Sequence, residues 1–411
     1  MRVRFTRRAV GIGAAALVMS AAPALAQKKY DPGATDTEIK LGQTNPYSGP
    51  ASAYATLGKS EIAYFKMVND RGGINGRKVT ILSYDDAYNP PKTVEQVRKL
   101  VEGDEVLAIF GLVGTPPNAA VQKYLNQKKV PQLLIATGAS RFSDPKESPW
   151  TMAYNPNYAS EGRIYAKYIL QNHPDAKIGI LYQNDDLGKD YVKGLKEGLG
   201  DKAAKMVVSE AAYEVTDPTV DSQMVKLKSS GADLFFNVTT PKFAAQSIKK
   251  AAEIGWRPVH FLNINSVSVG SVMKPAGPEN SKGVLSVNYG KDPLDPQWRD
   301  DPGMKKYLDF MDKHYPEGDK FSTFNSYGYS VAQTMEEILK RCGDDLTREN
   351  VMKVATSLKD LKGDLSLPGM SGASTSPSDY RLNKEFQMMR FNGERWELFG
   401  PILKDETAAT N

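Results

Sequence analysis

Short apolar runs alternate with amphipathic stretches along most of this chain. That alternation confines it to a doubly wound, parallel α/β architecture. The runs that read as strands are Ile39–Gln43, Lys78–Tyr84, Val106–Phe110, Gln132–Ile135, Lys177–Tyr182, Met206–Glu210, Leu234–Val238, His260–Asn263 and Gly283–Val287. Helical stretches separate them. In 91–103, Val94, Val97, Leu100 and Val101 share one face and Gly103 stops the helix; Ser222–Gly231 and Phe243–Gly255 repeat the design. The strands form two series, divided by the Pro/Asn-rich segment Ser148–Asn157, which reads as a crossing between lobes. After Tyr289-Gly290 the alternation gives way to helices over Pro302–Tyr315, Phe324–Cys342 and Arg348–Leu358. A hairpin ends the chain, with strands Phe386–Phe391 and Arg395–Phe399 about a turn at Asn392-Gly393. The segment Ser366–Ser378, rich in Gly, Ser and Pro, reads as a loop or hinge.

Residues 1–26 read as a secretory signal peptide. Arg2, Arg4, Arg7 and Arg8 precede a Gly/Ala-rich apolar run, and Ala24-Leu25-Ala26 is the small-x-small pattern cut by signal peptidase, with cleavage after Ala26 and a periplasmic destination. Thr6-Arg7-Arg8 hints weakly at twin-arginine export. Removing this segment leaves 49 basic against 48 acidic residues, so the precursor's charge of +5 belongs to the leader. A near-neutral mature surface gives no electrostatic case for nucleic acid or membrane binding. The remaining length exceeds what one core usually supports, which predicts two lobes. Cys342 is the sole cysteine, so an intrachain disulfide is excluded; it reads as an inert residue at a helix end.

In doubly wound sheets ligands bind at the carboxyl ends of the strands, where strand order reverses. Here those ends carry Asn45-Pro46-Tyr47-Ser48-Gly49, Asp85-Asp86, Gly111–Thr115, Ala136–Ser140, Gln183-Asn184-Asp185, Thr239-Thr240 and Asn263–Ser266. Small, hydroxyl and amide residues followed by helices suit an anion held by backbone N–H groups, with Thr115 and Ser140 adding hydroxyls. The same residues also serve as helix caps. Tyr47, Tyr54, Tyr84, Tyr88, Phe142, Tyr154, Tyr158 and Tyr289 crowd these ends and either line a pocket or pack loops.

Enzymatic readings find little support. His173, His260 and His314 share no metal-ligand spacing, and no G-x-S-x-G elbow, Walker A loop or Ser/His/Asp set occurs in a plausible context. Asp85-Asp86 and Asp185-Asp186 are adjacent carboxylates of the kind that are solvated or cap helices. No cofactor and no metal are expected.

Taken in order, several segments resemble the leucine/isoleucine/valine-binding family of periplasmic proteins that deliver ligand to ABC importers. They are Ile39–Gly42 leading to Pro46–Gly49; the turn Asn69-Asp70-Arg71-Gly72-Gly73-Ile74-Asn75-Gly76-Arg77, which is the specific one; Asp85-Asp86; Ile109–Gly111; and Val130–Gln132. The likeness spans about residues 36–402. It implies two lobes that hinge shut across three crossings, 36–155 with 288–362 and 156–287 with 363–404. It also implies that Val113-Gly114-Thr115 and Gly138-Ala139-Ser140 hold a ligand carboxylate, with Tyr191 or a residue of Asn184–Leu187 reaching from the second lobe. Tyr47, Tyr54, Tyr154 and Thr239 complete the candidate site. Asn265 falls where amino-acid-binding members carry an acid for the ligand ammonium. An amide there loses the Coulomb term and favours a carboxylate without an α-amino group, unless another acid such as Asp185 supplies the charge. The expected protein is a monomeric binding protein of an inner-membrane ABC permease complex, taking a hydrophobic amino acid or an aromatic or aliphatic acid. The alternative is a ligand-sensing module for a signalling receptor.

Overall fold

The computed structural model describes residues 1–3 and 28–405; the leader read at 1–26 lies almost wholly outside the described residues. Two mixed α/β layers result. The first sheet contains β1 (Glu38–Asn45), β2 (Lys78–Asp85), β3 (Ala108–Phe110), β4 (Gln132–Ile135) and β5 (Thr151–Ala153), all parallel, in the order β2-β1-β3-β4-β5. The second contains β6 (Ile178–Gln183), β7 (Val207–Tyr213), β8 (Leu234–Val238), β9 (Val259–Leu262) and β10 (Leu285–Asn288), with a hairpin of β11 (Glu385–Phe391) and β12 (Trp396–Lys404) added antiparallel at one edge. Its order is β12-β11-β10-β9-β8-β6-β7.

Strand order reverses between β1 and β3 in one sheet and between β6 and β8 in the other. Loops leave in opposite directions at such points and open a crevice at the carboxyl ends. Helices cover both faces, as parallel sheets require. On the first sheet, α1 (Ala55–Asp70) packs with the later helices α8 (Pro302–His314), α9 (Thr323–Cys342) and α10 (Arg348–Ala355) around Phe65, Phe310, Tyr329 and Met335. α2 (Pro90–Arg98) and α3 (Thr115–Lys128) lie on the opposite face. On the second sheet, α4 (Tyr158–Asn172) and α5 (Asp186–Leu199) pack together on one face. α6 (Asp221–Ser229) and α7 (Pro241–Glu253) take the other. Cys342 ends α9, buried, and burial pushes its thiol up to about 12, which keeps it unreactive.

The chain passes between the layers after β5, after β10 and between α10 and β11. One sequence expectation needs correction here: Ser148–Asn157 is not crossing throughout, because Thr151–Ala153 forms β5. Three residues with a single large apolar side chain, Met152, give no apolar run to read. The strand exists because β4 lies alongside, with Gln132 N–H donating to the Trp150 carbonyl at 2.8 Å. The family-like turn at 69–77 is a structural clamp. Asn69 bonds both backbone groups of Val79, at 2.8 and 2.7 Å. Gly73 adopts φ 75°, where a Cβ would strike the Arg77 carbonyl, and the buried Arg77 guanidinium reaches Thr35, Tyr30 and Asp344.

Candidate functional site

A cavity of about 620 Å³ lies between the carboxyl ends of the two sheets. From the first sheet come Tyr54 and Leu57, then Val113-Gly114-Thr115, Ala136 and Tyr154; from the second come Leu187, Ile264, Asn265, Val267 and Asn288. Phe324 and Tyr327, at the start of α9, form another wall. The aromatic rings brace one another: Tyr54 against Phe324 at 5.3 Å, Tyr154 against Tyr327 at 5.3 Å and nearly perpendicular, and Tyr158 stacked on Tyr191 at 4.8 Å. Burial pushes the phenols of Tyr154 and Tyr158 up to about 12, so both stay neutral donors or acceptors at physiological pH.

The loop after β3 is held from both sides. Asn118 donates to the carbonyls of Leu112 and Gly114, at 2.9 and 2.8 Å. Above it, the buried Asp86 accepts from Thr44, Thr93 and the Tyr88 N–H, so it anchors a loop where a solvated carboxylate was one expectation. That anchor fixes Ala87 and Tyr88 in left-handed backbone (φ 53° and 59°), strain of the kind found at ligand clamps. The Tyr88 ring then lies directly over Gly114, whose φ is 98° and whose added Cβ would sit 2.2 Å from it. Only glycine fits beneath that ring.

Helix α3 departs from the anion-nest reading. Its first residues are Thr115-Pro116-Pro117, and prolines have no N–H. The next amide, Asn118, is bonded to the Gly114 carbonyl. Thr115 N–H is therefore the single first-turn donor left over. It is supplemented by a hydroxyl: Thr115 Oγ1 and Thr137 Oγ1 are 2.7 Å apart, and when Thr137 donates in their mutual bond the Thr115 hydrogen is left for the cavity.

Of the candidates named from sequence, Tyr54, Tyr88, Val113, Gly114, Thr115, Tyr154, Tyr158, Leu187, Asn265 and Tyr289 line the cavity. The others are placed elsewhere. Tyr47 lies 2.5 Å from Ser83 Oγ, on the flank of the first sheet. Gly138 is covered by the Pro156 carbonyl and the Tyr158 ring, and Ala139 is fully buried. The Ser140 amide, assigned to a ligand carboxylate, donates to the Asp190 carboxylate at 2.6 Å, and Asn157 donates to its hydroxyl. Thr239 is buried and donates to Asn237. Asp185 caps α5 through the Gly188 N–H and accepts from Gln183; burial pushes its carboxyl up to about 6. It lies outside the cavity lining.

Asn265 carries the densest network. Its carbonyl oxygen accepts from Asn155 at 2.9 Å, its Nδ2 donates to Asn263 and Tyr191 at 3.1 and 3.3 Å, and its backbone carbonyl accepts from Tyr54 of the opposite layer. Beneath it, Tyr191 donates to the buried Glu161 at 2.6 Å. Glu161, Asn155, Phe324 and Tyr327 were not among the sequence candidates. Glu161 had a visible signal: an acid on the apolar face of α4, in phase with Tyr158 and Tyr165. Phe324 and Tyr327 reach the site only because α9, far along the chain, packs beside α1.

Described residues 38–395 match the periplasmic binding protein family. The chain belongs to that family. As a solute-binding protein it is similar to a Leu/Ile/Val-binding protein homolog of Brucella abortus (strain 2308), at 24% identity over 81% of this chain and 87% of that one. Among solved structures it is similar to a fatty acid ABC transporter substrate-binding protein from Thermomonospora curvata (21% identity, TM-score 0.79, 93% of this chain and 97% of that one). It is also similar to a branched chain amino acid ABC transporter from Thermus thermophilus with bound valine (16%, TM-score 0.80, 90% and 98%). These relatives are named for the solutes they bind. Among the described residues no helix is long and apolar enough to cross a membrane.

Proposed function

We propose that this periplasmic binding protein serves an ABC importer, exported by its leader and closing two lobes on a small carboxylate. The lobes are 36–155 with 288–362 and 156–287 with 363–404, and the ligand is a hydrophobic amino acid or an aromatic or aliphatic acid. The observation that carries this reading is the cavity itself. Aromatic and aliphatic walls of about 620 Å³ surround a few fixed polar groups, with Thr115 on one lobe and Asn265 on the other. The lysines and arginine at its far end are paired, Lys291 with Asp301, Lys384 and Arg381 with Asp379, and Lys404 with Glu385. Capture of the carboxylate therefore falls to the Thr115 amide and the Thr115 hydroxyl, which Thr137 supports from behind at 2.7 Å, with the rings excluding water. The similar proteins named for fatty acid and for bound valine support a carboxylate ligand.

A permease would recognise the closed form, which buries the ligand between the lobes. Differential scanning fluorimetry against amino, aromatic and fatty acids is the test. Binding to the folded state alone raises the melting temperature, by about 2.7 kcal/mol of added stability at a hundredfold excess over Kd. A rise with at least one carboxylate is the expected result; a flat response to the whole panel overturns the ligand class.

A further inference from the structure

Every hydrogen on the Asn265 side-chain amide already has an acceptor, and each acceptor is itself fixed. Asn263 donates its own Nδ2 to the carbonyls of Asn237 and Thr239, so its Oδ1 must face Asn265. Tyr191 donates to Glu161 Oε2, so toward Asn265 its hydroxyl oxygen can only accept. On the other side, Asn155 accepts from the Tyr327 hydroxyl, which turns its Nδ2 toward Asn265 Oδ1. The bonds thus run one way, from Tyr327 through Asn155, Asn265 and Tyr191 to a carboxylate at the end.

Glu161 is fully buried, and its other oxygen accepts the Ile264 N–H at 2.9 Å and the Tyr165 hydroxyl at 2.8 Å. The titratable groups around it are Tyr165 on its own helix, Tyr191 on α5, and Tyr158 and Tyr289 at the cavity wall. Protonation need not reverse the chain. Tyr165 also lies 2.9 Å from the Leu262 carbonyl, so it can accept a proton carried on Oε1 while donating there.

We propose that Glu161 is a positioning residue for ligand recognition: by fixing Tyr191 as an acceptor, it makes Asn265 present a carbonyl oxygen, with one lone pair open, to the ligand. A carboxylate cannot pair with that oxygen. A donor can, so the ligand class that fits carries an amine or hydroxyl facing the second lobe in addition to its carboxylate. An amide at 265 still lacks the Coulomb term a carboxylate would give an α-ammonium, but oriented this way it keeps the hydrogen bond. Only the ligand's carboxylate rests on the function proposed above.

The decisive variant is Glu161→Gln. Ile264 N–H keeps the glutamine oxygen, so the glutamine NH2 meets Tyr191, whose hydroxyl hydrogen must then turn on Asn265. Side-chain amide resonances of Asn265 are followed in the ligand-free protein at one fixed pH, labelled with 15N-asparagine and assigned with Asn265→Asp. They should move in Glu161→Gln and in Tyr191→Phe, which breaks the chain by a different change. Calorimetry then compares L-leucine with 4-methylpentanoate, which lacks the amine. Both variants should lower the preference for leucine by roughly three- to tenfold, the worth of one hydrogen bond. A general structural defect lowers both affinities alike, and that result, or unmoved Asn265 resonances, overturns the proposal. If neither probe binds the wild type yet the resonances move, the carboxylate reading fails and the positioning role of Glu161 stands.

Discussion

Gly114 shows how much of this site depends on single atoms. The Tyr88 ring occupies the space of its missing Cβ, and Tyr88 in turn is held in strained backbone by Asp86. Gly114→Ala should therefore destabilise the fold by about 1 to 3 kcal/mol, through left-handed strain and displacement of a buried ring. Urea unfolding followed by fluorescence measures it, and an unchanged midpoint would remove the steric account. Thr115 stands beside it with the opposite character, its N–H the one first-turn donor left because the two prolines that follow have none. Both line the cavity, but the sequence singled them out for a helix start richer in donors than the one that exists.

Helix α3 and strand β9 illustrate what an element does for its neighbours. β9 carries His260, whose ring packs on Phe235 at 4.5 Å and whose Nε2 lies 3.1 Å from Asn237 Nδ2. With Asn237 donating, His260 must be neutral, and burial pushes its imidazole down to about 3. The unfolded chain takes up that proton near pH 6.5, so the folded state binds fewer protons between the two values. Stability therefore falls as pH drops from about 6.5 toward about 3, by up to about 5 kcal/mol from this residue, and is unaffected above pH 7. His260→Gln should flatten that part of the stability profile. Chemical denaturation at stepped pH checks it: parallel profiles for wild type and variant would assign the acid sensitivity elsewhere.

At the scale of the molecule, the two layers touch through a small set of directed contacts. Tyr54 donates to the Asn265 carbonyl at 3.1 Å, Ser140 N–H to Asp190 at 2.6 Å, and Arg141 pairs with Asp186 at 2.9 Å. The ion pair is exposed and adds little. The buried Tyr54 contact borders the cavity, as the Asn155–Asn265 bond does, and it joins the first-layer helix start to the residue that meets the ligand. Tyr54→Phe keeps the ring against Phe324 and removes only that bond. Ligand affinity should fall about three- to tenfold, and small-angle scattering should show a larger radius of gyration for the ligand-bound variant. Equal radii together with equal affinities would deny Tyr54 a part in closure.

The sequence by itself determined the layered architecture, because strand and helix periodicities are local and each βα unit repeats them. Leu234–Val238 and Gln132–Ile135 are legible to the residue, and the Asn392-Gly393 hairpin nearly so. It also singled out Asn265 and the Val113–Thr115 loop, since both follow strands at carboxyl ends. β5 escaped it because a three-residue strand is made by its neighbour's hydrogen bonds. Tyr47, Ser140, Asp185 and Thr239 share the composition of site residues yet turn to protein partners, a choice that side-chain direction makes and composition does not. The walls from α9 and the chain from Tyr327 to Glu161 join residues far apart in sequence. Only tertiary structure brings them together, and only there does the direction of each hydrogen bond decide that Asn265 faces the cavity as an acceptor.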